Sequence, residues 1–224
     1  MKKQIPILSV LSFTALVGTA LAADQVAVPN GCAPLATIHK AMCHTTTMMD
    51  CGDRREAWTY NNGEPIVVHV YASDWDMKQF RYADGQALQM TAVPNSGSTM
   101  DLAEAVASGS VPETGVFLMS TNIIKDRKYT LDGRIEMPGE TVDLNGVSFY
   151  KGRIYRTFEL KPGAGGLEFE VDVYVAQDRD LIFEASWQRS IFGNNLEVFD
   201  QTPHAVYFAG EAGFLAAKPE IGCE

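Results

Sequence analysis

From Trp58 onward apolar residues recur mostly at every second position, and that period constrains the fold more than any other feature of the chain. The stretch Leu167-Glu168-Phe169-Glu170-Val171-Asp172-Val173 alternates without a fault. One face of such a strand must meet a core while its acids meet water. Ile66 to Tyr71 is a β-branched and aromatic run, and Val116 to Met119 follows Pro112. Tyr129-Thr130-Leu131 runs into Asp132-Gly133 and on to Arg134-Ile135-Glu136-Met137. Turn chemistry punctuates the pattern. Asp84-Gly85 lies between Phe80-Arg81-Tyr82 and Ala87 to Met90, and Asn145-Gly146 separates Thr141 to Leu144 from Val147 to Tyr150. Both dipeptides suit tight hairpins. Lys161 to Gly166 forms a turn between two further strands, Ile154 to Leu160 and Leu167 to Val175. Leu181 to Trp187 and a last strand near Ala205 to Phe208 complete the series. About ten strands at this spacing predict a mainly β fold, a curved antiparallel sheet or open β-barrel.

Helix is expected in two places. Pro34 to Met49 reads as an N-terminal amphipathic helix with Leu35, Ile38, Met42 and Cys43 inward. Asp101 to Ala107 reads as a short helix, with Ser98 and Thr99 as caps and Asp101 as the acidic member of a capping box.

The chain opens on a basic start (Lys2, Lys3), an apolar run through Val17 and the small-residue signal Ala20-Leu21-Ala22. These are the three parts of a secretory signal peptide, so residues 1–22 are expected to be a leader cleaved after Ala22. Residues 23–224 then form a single mainly β domain that is periplasmic or secreted, without an integral membrane segment. Losing Lys2 and Lys3 takes the net charge from −10 to −12 over 202 residues. That balance excludes a nucleic-acid partner, because no basic stripe is present to displace phosphate counterions.

Cys32, Cys43, Cys51 and Cys223 are an even set, and in an oxidising compartment they are expected to pair. Cys43–Cys51 as a local loop and Cys32–Cys223 as a long clasp is the favoured pairing, with the two alternatives open. His39, Met42, His44, Met48 and Met49 sit in the same segment, and imidazole and thioether donors select copper. Their spacing matches no zinc or haem signature, so the structural reading of this segment competes with the metal one.

Other chemistry is scarce. The chain carries no Gly-x-Ser-x-Gly, no His-Glu-x-x-His and no P-loop. Gly163-Ala164-Gly165-Gly166 precedes a strand rather than a helix, so it reads as a turn and not a phosphate cradle. Asp74-Trp75-Asp76 offers two acids on one side of a strand for a sugar or cation, or a solvated strand end. His69 shares the face of Val67 and Tyr71, where it reads as a partly buried histidine with no visible partner for a catalytic role, and His204, next to Pro203, reads as a loop or strand-start residue. Nothing recommends an enzyme, and no catalytic residue or required cofactor is assigned.

Three stretches carry a resemblance: Val142-Asp143-Leu144-Asn145-Gly146-Val147-Ser148-Phe149-Tyr150, then Arg153 to Leu160, then Tyr174-Val175-Ala176-Gln177-Asp178-Arg179-Asp180-Leu181-Ile182. In pattern, residues 55 to 190 resemble the periplasmic lipoprotein-carrier (LolA-like) superfamily. The resemblance implies an incomplete, strongly curved sheet around an apolar cavity for acyl chains, and it carries over no functional residue. The four cysteines and the His/Met segment lie outside it. The expected function is therefore a non-enzymatic carrier or binding protein for an apolar small molecule or lipid. A periplasmic copper-binding protein and a structural envelope-interaction module are the alternatives.

Overall fold

The computed structural model describes residues 25–85, 87–97, 101–161, 163, 165–191, 193–219 and 223; the expected leader and the caps Ser98 and Thr99 lie outside them. Thirteen strands form one antiparallel sheet: β1 (Ala33–Lys40), β2 (His44–Asp50), β3 (Arg54–Asn61), β4 (Glu64–Ala72), β5 (Met77–Tyr82), β6 (Gln89–Ala92), β7 (Ser110–Ser120), β8 (Arg127–Leu144), β9 (Val147–Glu159), β10 (Gly166–Ala176), β11 (Leu181–Ile191), β12 (Asn194–Phe199) and β13 (Pro203–Tyr207). Each strand pairs with its sequence neighbour from β1 through β12, and β13 crosses back to pair with β1. The sheet curls into a half-barrel, and contacts between strands far apart in the order hold the curl. Lys40 Nζ on β1 donates to the Glu184 carbonyl on β11 at 2.7 Å. Arg55 on β3 pairs with Asp180, which also accepts from Trp75 Nε1 at 3.1 Å.

The expected N-terminal helix is not there. Residues 34–49 form most of the β1–β2 hairpin, closed by a turn in which Met42 and Cys43 both take positive φ, 55° and 60°. The apolar spacing at Leu35, Ile38 and Met42 imitates a helix. The run Thr45-Thr46-Thr47 does not, because β-branched side chains lose rotamer freedom in a helix and fit a pleated surface. Each of these threonines has work on the sheet. Thr46 Oγ1 meets Thr59 Oγ1 at 2.9 Å, Thr47 Oγ1 meets Thr37 Oγ1 at 3.3 Å, and Thr45 donates to the Ala217 carbonyl at 3.0 Å.

The second helix is α1 (Leu102–Ser108). Its N-cap is Asp101 itself, whose side chain accepts from the Glu104 amide at 2.9 Å, and Gly109 caps the other end at φ 85°. Asn145-Gly146 closes the β8–β9 hairpin as expected, and its tip reaches β13 through Asn145 Nδ2 and the Val206 carbonyl. Asp132-Gly133 makes no turn, since β8 runs through it without a break. Strand β12 went unforeseen. It is an edge strand with Leu196 and Val198 exposed, so no buried alternation announces it.

The cysteines pair as Cys32–Cys51 and Cys43–Cys223, not as the favoured pairing had them. The β1–β2 register explains this. Ala33 faces Asp50, so the residues flanking them, Cys32 and Cys51, meet at one end of the hairpin, while Cys43 sits in the turn at the other. A seven-residue strand, roughly 23 Å long at 3.3 Å per residue, holds Cys43 and Cys51 apart. The C-terminal segment then crosses the convex face of β1 and β2. His39 Nε2 lies 3.0 Å from the Gly213 carbonyl, the Leu215 amide donates to Thr37 Oγ1 at 2.9 Å, and Val26, Met49, Tyr60 and Ala217 form a small cluster beneath it.

Candidate functional site: an apolar cavity with a charged floor

Alternation places one side chain in two on the concave face, and there the half-barrel does not fill itself. A cavity of about 360 Å³ remains. Its walls come from alternate positions of successive strands: His44, Thr46 and Met48 on β2, Ala57 and Thr59 on β3, Val67, His69 and Tyr71 on β4, and Phe80 and Tyr82 on β5. Phe158, Phe169, Val171 and Trp187 line the opposite side, and Phe199 of β12 stacks on Trp187 with ring centroids 3.8 Å apart. Phe199 is 37% exposed, which marks where the cavity meets solvent.

Five polar side chains, Lys40, His69, Tyr71, Arg156 and Glu184, gather in one part of this shell, and Asn61, Arg189 and Gln201 are among the other polar groups that line it. Arg156 lies in phase with Ile154 and Phe158 on β9, and Glu113 lies in phase with Val111 and Phe117 on β7. Between them on β8 stands Gly133, opposite both. With no side chain at that position, the Arg156 guanidinium reaches across a whole strand. Nε and Nη2 bind the two oxygens of Glu113 at 2.8 and 3.1 Å. A Cβ at residue 133 would lie 2.4 Å from the Tyr155 carbonyl oxygen and 3.3 Å from that of Glu113, so the passage belongs to glycine.

Nη1 of Arg156 binds Glu184 Oε1 at 2.8 Å, and Glu184 Oε2 lies 3.7 Å from His69 Nε2. Glu184 reaches this face because the β10–β11 register shifts between Val171 and Val173. Val171 faces Trp187 and Val173 faces Glu184, so an extra residue on β11 brings Glu184 and Trp187 to one side of the sheet. Glu113 also borders a smaller depression of about 220 Å³ between β5 and β7.

Burial sets the charge states. Desolvation lowers the Lys40 amine to about 7, although Glu184 beside it favours the ammonium. Burial likewise lowers His69, so its imidazole is neutral at pH 7. Burial works against charge on Arg156 too, but Glu113 and Glu184 outweigh it and hold the guanidinium protonated. Glu184 is kept below the ordinary carboxylate range against its burial by Arg156 and His69. Tyr71 is raised well above its usual value by burial.

The Lys40 value has a consequence for stability. Between pH 7 and 10 an unfolded lysine keeps a proton that folded Lys40 has released, so stability rises with pH across that window. At about 1.4 kcal/mol per unit, the rise from this residue reaches about 4 kcal/mol at most. Lys40→Met is expected to abolish that slope. Urea unfolding at pH 7, 8, 9 and 10 checks this, and an unchanged slope in the variant would refute it.

The five copper candidates are not brought together. His39 and Met49 face the convex side under the C-terminal segment, His44 and Met48 face the cavity, and Met42 is exposed in the turn. Strand geometry separates them, since adjacent residues point to opposite faces. All four cysteines are in disulfides, so none supplies a thiolate. Among the described residues no three His, Cys, Asp or Glu side chains are grouped to hold a metal ion. Trp75 is buried in the β4–β5 turn under Arg55, while Asp74 accepts from the Asp76 amide and Asp76 pairs with Lys78. His69 does share a face with Val67 and Tyr71, and that face is the cavity wall.

Lys40, Glu113, Arg156 and Glu184 were not singled out in the sequence. A signal for two of them was present. A charged residue in the apolar phase of a strand, as at Arg156 and Glu113, must be paired where it is buried. No protein-family model, curated protein or solved structure matches this chain. Among the described residues no helix is long and apolar enough to cross a membrane.

Proposed function

We propose that this protein is a non-enzymatic carrier or binding protein that takes an apolar small molecule or an acyl chain into the concave face of its sheet. The single observation that supports this most is the cavity. A volume of about 360 Å³ walled by Met48, Val67, Phe80, Phe158, Phe169 and Trp187 is of ligand size, and its walls are mostly apolar. Protein interiors ordinarily fill such space with their own side chains. The pattern resemblance to lipoprotein carriers points the same way, as do two disulfides that suit an exported, oxidising setting.

The test is binding of a neutral fluorescent apolar probe such as Nile red to the purified protein. Saturable binding at one site is expected. Val67→Trp projects an indole into the cavity from β4 and is expected to lower probe affinity at least tenfold while leaving the unfolding midpoint within a few degrees. Absence of saturable binding by the native protein, or binding indifferent to Val67→Trp, would overturn the reading.

A further inference from the structure

Four polar side chains of the cavity, Lys40, His69, Tyr71 and Arg156, gather in one place. They converge on one residue, Glu184. Lys40 Nζ donates to its carbonyl at 2.7 Å, Arg156 Nη1 binds its carboxylate at 2.8 Å, and His69 Nε2 lies 3.7 Å from it. Tyr71 is the cavity-facing neighbour of His69 on β4, with ring centroids 6.1 Å apart. These side chains come from β1, β4, β9 and β11, strands far apart in the sheet order, and the curl of the sheet alone makes them neighbours.

The Lys40 ammonium has three N–H groups; one binds the Glu184 carbonyl and a second has only a long contact, 3.5 Å, to Gln201 Oε1. Arg156 has five, of which three serve Glu113 and Glu184. His69 has no hydrogen bond shorter than its 3.7 Å approach to Glu184, and the Tyr71 hydroxyl has no hydrogen-bond partner among the described residues. Donors therefore outnumber acceptors where the cavity wall is polar. The carboxylate of Glu113 is saturated by its bidentate pair, and one oxygen of Glu184 is taken by Arg156.

We infer that the cavity receives a carboxylate-bearing single-chain molecule head first, with its carboxylate seated against the Lys40 ammonium, the His69 imidazole and the Tyr71 hydroxyl, and its hydrocarbon along the apolar walls toward Phe199. This rests on the carrier reading and names its ligand class. Arg156 faces the two carboxylates Glu113 and Glu184, and protonation of Lys40 balances the floor. An incoming carboxylate is met by donors that the floor does not itself use. Water excluded by the apolar walls would otherwise screen that contact.

Three ligands with the same chain and different heads test it: dodecanoate, dodecanol and dodecyltrimethylammonium, each competing with Nile red. Dodecanoate is expected to bind on the order of tenfold or more tightly than dodecanol, the size of a charge-assisted hydrogen bond, and the cation weakest. Lys40→Met is expected to erase the preference for dodecanoate over dodecanol, read as the ratio of the two affinities in the same variant. Tyr71→Phe, which removes one oxygen and no bulk, is expected to reduce the preference several-fold and serves where Lys40→Met fails to fold. Equal affinity of acid and alcohol, or a cation that binds best, overturns the headgroup assignment and leaves the cavity reading standing. Failure of all three to displace the probe overturns both.

Discussion

Replacing Arg156 by methionine is expected to destabilise the protein by about 3–5 kcal/mol, the usual result of removing one partner from a buried ion pair. Both side chains of the Arg156–Glu113 pair are buried, 4% and 3% exposed, so almost no water remains to solvate the partner left behind. Two carboxylates depend on this guanidinium, because Arg156 also neutralises Glu184. Without it, Glu113 and Glu184 must be desolvated unpaired or take up protons on folding. The second route sets a pH dependence. Glu184 is held low in the native protein by Arg156, so the variant's deficit is expected to be largest above pH 7 and to shrink as pH falls toward 5.

A companion variant isolates the cause. Glu113→Leu combined with Arg156→Met removes the buried pair together, and hydrophobic replacement of a whole buried pair is often neutral or stabilising. The double variant is thus expected to be more stable than Arg156→Met alone, even though Glu184 stays uncompensated. Urea unfolding of both single variants and the double variant gives the coupling energy directly. Additive losses with no coupling would show that the pair is not the source of the effect.

The residues that make the pair also show what could be read from the chain. The mainly β architecture was legible because alternation and turn chemistry agree, as at Leu167 to Val173 and at Asn145-Gly146. The floor of the cavity was not, for three physical reasons. Gly133 follows an aspartate, and Asp-Gly signals a turn; here its lack of a side chain serves a cross-strand contact in the middle of β8. Glu184 is out of phase with Trp187 in the sequence, and only a bulge brings both to one face. Lys40 ends a strand that apolar spacing disguised as a helix, and its approach to Glu184 depends on the closure of the whole sheet. Local pattern sets which residues alternate, but the curl that joins β1 to β11 is a property of thirteen strands together.

That curl is fastened at its N- and C-terminal ends, and the fastening carries the second large effect. Replacing Cys43 and Cys223 together by serine is expected to cost about 5 kcal/mol on the loop-entropy model, because the bridge spans 180 residues. Removing Cys32 and Cys51 together, a separation of 19 residues, should cost about 3 kcal/mol on the same model. The difference has a structural side as well. Cys32–Cys51 staples a hairpin that its own ladder already holds, from Ala33–Asp50 to Lys40–His44. Cys43–Cys223 instead anchors the C-terminal segment whose backbone satisfies His39, Thr37 and Thr45 on the convex face. Freed at Cys223, that segment keeps only a few hydrogen bonds and the small cluster around Val26 and Ala217, so local opening should precede global unfolding. Limited proteolysis is therefore expected to cut first between residues 209 and 219 in the Cys43→Ser, Cys223→Ser protein and not in the Cys32→Ser, Cys51→Ser protein. Urea unfolding ranks the two losses. Equal costs, or early cleavage in the second variant instead, would mean that the hairpin staple and not the long clasp holds the convex face closed.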